Sequence, residues 1–152
     1  MSRPLYLIDT NVFREIGRTG GNANVMAWLD TVDDDQLRIS PIVYQELREG
    51  WERERVRFEN KGRDTTPVVA QLALLDDFEQ AYEDRQVPIT MAISAEVARM
   101  LGAKGKNHRD VVVAATARIH GLIVVTRNVA DFVGRDVDVL NPFLQNPQVQ
   151  RV

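Results

Sequence analysis

Apolar residues in this chain fall into short runs and helical stripes that alternate along its length. Leu5 to Ile8 is a continuous apolar run closed by Asp9, which predicts a short buried strand. Thr10 to Ile16 can open a helix, and Gly17 to Gly21 breaks it. Val25, Trp28, Leu29 and Val32 recur at helical spacing behind Asn22 or Asn24, either of which can cap the segment. Asp33-Asp34-Asp35 ends that helix, and Gln36 to Ser40 reads as a second strand. Ser40-Pro41 then pairs a capping hydroxyl with a proline at the first helical position. Val43, Leu47, Trp51 and Phe58 stripe the helix that follows, as far as about Phe58. Beyond the break at Asn60-Lys61-Gly62, a long helix carries Val68, Leu72, Leu75, Phe78 and Tyr82 on one side. That stripe reads as core, with room for part of it to face a partner. Val87 to Thr90 is a short extended segment, and Ser94 to Leu101 is helical up to Gly102. Asn107 is placed to cap a helix from Arg109 to His120, closed by Gly121. Leu122 to Thr126 has the apolar character of a buried parallel strand, and Val137 to Leu140 is one more. Pro142 and Pro147 mark a loose tail.

Strands alternating with helices predict an α/β layered domain with a mainly parallel sheet. In such sheets, sites form beyond the carboxyl ends of the strands. Asp9 sits at that position after the first strand, and Arg127-Asn128 sits there after Leu122 to Thr126.

Composition narrows the chemistry. A length of 152 residues, 44% hydrophobic and 27% charged, suits one globular domain. No apolar run reaches bilayer length, and the four residues Leu5 to Ile8 are too few for a signal peptide, so a cytoplasmic protein without membrane partners is expected. The absence of cysteine excludes disulfides and thiol chemistry, and with two histidines, His108 and His120, a zinc site is poorly supplied. Plentiful carboxylates favour a hard cation, magnesium or manganese. A net charge of -3 counts weakly against nucleic acid, although bound cations would offset part of it.

Four acids deserve separate readings. Asp9 fits a helix cap as well as a ligand, and Thr10 could cap equally well. Glu46 borders the apolar stripe of its helix, where a solvated glutamate is the ordinary outcome. Asp110 is followed by Val111-Val112-Val113-Ala114-Ala115, so its helix is apolar on nearly every side and buried. A carboxylate on the inner line of such a helix needs a partner or a cation. Its rival explanation is a capping box with Asn107, stabilised by the helix dipole. Asp131 alone is a loop acid, while Thr126 and Asn128 could orient a carboxylate or a water. Lys104, Lys106, His108 and Arg109 form a basic loop before Asp110, either solvated or a phosphate-contacting rim that Arg14 and Arg127 could join.

Together these segments resemble the PIN-domain nucleases, and within them the VapC-type toxins of bacterial toxin–antitoxin pairs. The likeness rests on Leu7-Ile8-Asp9-Thr10-Asn11-Val12-Phe13, on Ser40 to Leu47 with Glu46, on Asp110 to Ala117, and on Val124 to Phe132. It spans Leu5 to about Phe143, and Val137 to Phe143 is similar to the FitB-like branch. The resemblance implies one three-layer α/β/α domain over residues 1–145, with a sheet of four or five strands and a tail at 146–152. It implies a magnesium-dependent endoribonuclease acting on RNA, such as tRNA, a homodimer, and a cognate antitoxin. Catalytic positions would be Asp9, Glu46, Asp110 and Asp131. Asp9 and Asp110 would be direct metal ligands, and Glu46 would act through water or as general base. Asn11, Thr126 and Asn128 would support them, with RNA contacts at Arg14, Lys104, Lys106, Arg109 and Arg127. Many relatives carry Asp at the position of Asn128; others have Asn there and an acid three residues on, as Asp131 is here.

Two other readings compete. An aspartyl-phosphate phosphatase also places Asp after its first strand, but commonly uses a second Asp where this chain has Asn11. A catalytically silent module binding RNA or protein would not need Asp9, Glu46 and Asp110 together.

Overall fold

The computed structural model describes residues 2–16, 18–103 and 105–152. Gly17, the start of the expected break, and Lys104, an expected RNA contact, lie outside them.

In a sheet of five strands among the described residues, β1 (Tyr6–Ile8) lies second from one edge. On one side it pairs in parallel with β2 (Leu37–Arg38), and on the other with β3 (Ile123–Val125). Next come β4 (Asp138–Leu140), parallel to β3, and β5 (Gln150–Arg151), antiparallel to β4. Among the described residues six helices surround the sheet: α1 (Thr10–Ile16), α2 (Ala23–Leu29), α3 (Pro41–Asn60), α4 (Thr66–Ala81), α5 (Met91–Ala103) and α6 (His108–His120). The result is the expected α/β/α arrangement with a mostly parallel sheet. Leu7, Ile8, Val124, Val125 and Val139 are sealed inside it, and each fully buried side chain of this kind contributes about 1.5–3 kcal/mol.

Helix α6 runs through the core with Val111 to Ala117 all buried, as its unbroken apolar run predicts. Gly121 ends it in the left-handed conformation (φ 64°), its N–H donating to the Ala117 carbonyl; a side chain there would be strained. At the other end the expected cap is absent. Asn107 is itself left-handed (φ 57°) and its side chain makes no capping bond. An N-cap needs extended backbone to aim its oxygen at the first free N–H groups, so the capping-box account of Asp110 falls away. Asn22 does cap α2, accepting from the N–H groups of Asn24 and Val25.

The expected tail is not loose. Val152 and Val137 exchange backbone hydrogen bonds of 3.0 and 3.2 Å, and β5 closes the sheet edge. Helix α5 starts three residues before the expected Ser94, and α3 outlasts Phe58 by two.

Candidate active site

Parallel pairing brings the ends of β1 and β3 to one edge of the sheet, and the sharpest chemistry lies there. Asp9 continues β1 by one residue, its N–H bonded to the Val125 carbonyl at 3.0 Å. Its side chain is buried, and both oxygens are held. Oδ1 accepts the Thr10 N–H at 2.8 Å. Oδ2 accepts the Thr126 hydroxyl at 2.8 Å and the Asn11 amide at 3.2 Å. It does not cap the second or third N–H of α1 in the ordinary way; the Asp9 backbone carbonyl accepts from Val12 and Phe13 instead. Burial pushes the Asp9 carboxyl above its usual range, outweighing the lowering by Thr126, Thr10 and Asn11, and the charge of Glu46 adds to the rise.

Thr126, Asn11 and Asn128 form the frame around that carboxylate. Asn11 Oδ1 accepts the Arg127 N–H at 3.0 Å while its amide also reaches the Thr126 hydroxyl at 3.3 Å. Thr126 Oγ1 accepts the Asn128 N–H at 3.0 Å. Asn128 thus contributes its backbone here, and its exposed side chain stands before the 3-10 turn Val129–Phe132 that carries Asp131. Because Thr126 is fully buried, Thr126→Val leaves the Asn128 N–H without its hydroxyl acceptor and removes one of the three donors to Asp9. Urea denaturation should register a loss of about 1–2 kcal/mol; an unchanged midpoint would show that water replaces the hydroxyl without penalty.

Glu46 faces this frame from α3. Its Oε2 accepts the Thr10 hydroxyl at 2.9 Å, and its Oε1 lies 3.7 Å from Arg109. Thr10 therefore bridges two acids, donating its N–H to one and its hydroxyl to the other. Sequence offers it only as an alternative cap, and a hydroxyl directly after a strand-terminal Asp is the one local sign of the larger role.

Asp110, in the first turn of α6, is half-buried. Among the described residues its carboxylate has neither a hydrogen-bond donor nor a basic partner. Burial lifts it from its ordinary 3.8 to about 6, with the charges of Asp9, Asp131 and Glu46 all adding to the rise. Three acids from other segments, Asp9, Asp131 and Glu46, thus bear on Asp110.

Among the described residues no three acids or histidines stand close enough to ring an ion by themselves. The donor set is oxygen only, and Asp110 is an under-neutralised carboxylate open to water. This fits a magnesium-like ion that keeps most of its own water and takes one or two carboxylates directly.

The basic residues divide. Arg109 is not free: its guanidinium donates to Glu49 on α3 as well as lying near Glu46. Arg127 is exposed and stacks over Phe143, with 5.2 Å to the ring centroid. Arg14 is exposed on α1, and Lys106 and His108 are exposed beside Asp110. The Glu49 contact has no signal in the sequence, since 60 positions separate the partners.

Comparison with known proteins gives a consistent result. The PIN domain family model matches residues 6–132. Toxin FitB of Neisseria gonorrhoeae is 32% identical over 147 residues, covering 91% of this chain and 99% of its own. The VapC ribonuclease Y4jK of Sinorhizobium fredii is 29% identical, over 91% and 98%. Among solved structures, FitAB bound to the IR36 DNA fragment superposes with a TM-score of 0.68 at 27% identity, covering 93% of this chain and 98% of that one. The FitAcB crystal structure from Neisseria gonorrhoeae gives 0.66 at 29% identity, covering 93% and 100%.

Proposed function

The chain belongs to the PIN-domain family, and from that premise we propose that it is a divalent-metal-dependent endoribonuclease serving as the toxin of a toxin–antitoxin pair. One observation carries the catalytic part: the charges of Asp9, Asp131 and Glu46 all bear on Asp110, which among the described residues has no donor or basic partner. Asp9 and Asp110 would hold magnesium or manganese. When bound, the ion supplies Lewis-acid activation of water and charge neutralisation at the phosphate.

The protein residues do the rest. Thr126, Asn11 and the Thr10 N–H fix Asp9 in one orientation, so its ligand geometry is set before substrate arrives. Glu46, held at one oxygen by Thr10, is placed to take a proton from attacking water. Asp131 would help to hold the metal or to position water. Arg14, Lys106, Arg109 and Arg127 contact the RNA backbone, tRNA being one such substrate.

The relatives FitAB and FitAcB support a partner as well as a fold, since their structures are of complexes. For an antitoxin, the chain offers an apolar groove of about 700 Å³ between α1, α3 and α4, where Trp51 and Leu74 are 37% and 59% exposed. The active assembly is a homodimer. Among the described residues no helix is long and apolar enough to cross a membrane.

The decisive experiment is cleavage of a mixed RNA pool by purified protein. Magnesium should support cutting, EDTA should stop it, and added manganese should restore it. Absence of metal-dependent cleavage on both structured and single-stranded RNA would leave the silent binding module as the better reading.

A further inference from the structure

Arg109 and Asp110 are consecutive, yet their side chains serve different neighbours. The guanidinium crosses from α6 to α3, where NH2 donates to Glu49 Oε2 and NH1 lies 3.7 Å from Glu46 Oε1. Charges on Asp9, Asp131 and Glu46 all act on Asp110, but Arg109 does not relieve it. A flexible cation next to an acidic pocket should fall into that pocket, because Coulomb attraction at a few ångströms outweighs the loss of side-chain freedom there. Something draws it elsewhere, and Glu49 is the group in contact.

Glu49 is itself well anchored. Gln45, one turn earlier, donates to its Oε1 at 2.8 Å, and Arg53 reaches its Oε2 at 3.3 Å. Both oxygens are thus held along its own helix, and Oε2 is shared between Arg53 and Arg109 of α6. The contact to Glu46 is different in kind: 3.7 Å is an ion pair beyond hydrogen-bond length. Arg109 therefore has one firm partner and one weak one, and its side chain remains 36% exposed.

We infer that Glu49 is a positioning residue which holds the Arg109 guanidinium at the rim of the acid pocket, where an RNA phosphate takes the place of the weak Glu46 contact. This rests on the ribonuclease reading above. It gives Glu49 two effects: it aims the cation outward for the backbone, and it keeps that cation from neutralising the acids that receive metal. The bound NH2 stays with Glu49, and NH1 turns to the phosphate oxygen.

Charge alone predicts the opposite of this role. Removing an acid from a phosphate-binding rim should raise RNA affinity, whereas removing an anchor should lower it. The test measures anisotropy of a short labelled single-stranded RNA of mixed sequence, with calcium in place of magnesium, across a salt series. Arg109→Ala should weaken binding roughly tenfold and reduce the salt dependence by about one phosphate contact. Glu49→Gln and Glu49→Ala should each weaken binding about threefold or more. In the Arg109→Ala background the same Glu49 changes should cost nothing further. Tighter binding by Glu49→Gln, or an equal loss with and without Arg109, overturns the inference while the ribonuclease reading stands. If the unsubstituted protein does not bind RNA at all, the ribonuclease reading fails and takes the inference with it. A part-exposed pair of this kind contributes little to the fold, so the variants should melt close to wild type; Arg109→Lys, which keeps charge but loses the fork, supplies a second test and should also lose its dependence on Glu49.

Discussion

Asp110→Asn should abolish metal-dependent RNA cleavage and at the same time make the metal-free protein more stable. An amide keeps the shape of the side chain but removes the charge that draws the cation, so activity should fall at least about a hundredfold, or roughly 2.7 kcal/mol of transition-state stabilisation. The stability gain follows from the carboxyl itself. Folding lifts it from its ordinary 3.8 to about 6, chiefly through burial and then through Asp9, Asp131 and Glu46. A group with a raised folded value carries no penalty below about pH 4, where it is protonated in both states. The penalty grows as pH rises toward 6 and is full above it. Discounted for the solvent that still reaches this half-buried side chain, it amounts to about 1 kcal/mol at pH 7. Thermal melts in EDTA should therefore show Asp110→Asn about 2–4 °C higher at pH 7 and level with wild type near pH 4. Retained cleavage would remove Asp110 from the metal site, and a lower melting point at pH 7 would mean that the cluster is not under like-charge strain.

Much of this arrangement is legible along the chain because it is local. The run Leu5 to Ile8 forms a strand since four apolar residues in a row can be buried on both faces of a parallel sheet. The apolar surface of α6 covers nearly every side of it, so Asp110 stands out as an acid whose one bland account is a capping box with Asn107. Neither reading needs a distant contact. What the sequence hides is long-range or conformational. Thr10 looks like a cap until α3 supplies Glu46 as its acceptor. Arg109 looks like one of a row of solvated cations until Glu49 takes it. Asn107 has the right chemistry for a cap, but its left-handed backbone points the side chain away from the helix start. The C-terminal segment has the prolines of a tail and too few residues to announce a strand; β4 offers it an unpaired edge, and edge pairing needs little side-chain pattern.

Thr126 and Asn128 show why the fourth position of the site is hard to read from residue types. The Asn128 side chain is exposed, yet its N–H holds the hydroxyl that holds Asp9. A residue can thus be built into the site through its backbone while its side-chain chemistry is secondary. The charge of Asp131, in the turn that follows β3, is one of the three that add to the rise of the Asp110 carboxyl.

Asp9→Ala should also abolish cleavage, but with the opposite effect on stability, and the contrast separates the two acids. Asp9 is buried and accepts from the Thr10 N–H, the Thr126 hydroxyl and the Asn11 amide. Cutting back its side chain strands those donors at a site with little access to water. Each lost hydrogen bond to a charged acceptor is worth about 1.5–3 kcal/mol. Part of that is returned, since burial and Glu46 both disfavour the charged carboxylate. The balance should be a loss of about 2 kcal/mol, or a fall of about 4–8 °C in melting temperature at pH 7. Paired melts of Asp9→Ala and Asp110→Asn should therefore move in opposite directions from wild type while both lose RNA cleavage. If Asp9→Ala melts at or above wild type, its three donors are satisfied without it, and Asp9 is a charged ligand held against the fold rather than the hub that joins β1, α1 and β3. A stable and fully active Asp9→Ala would remove it from both roles.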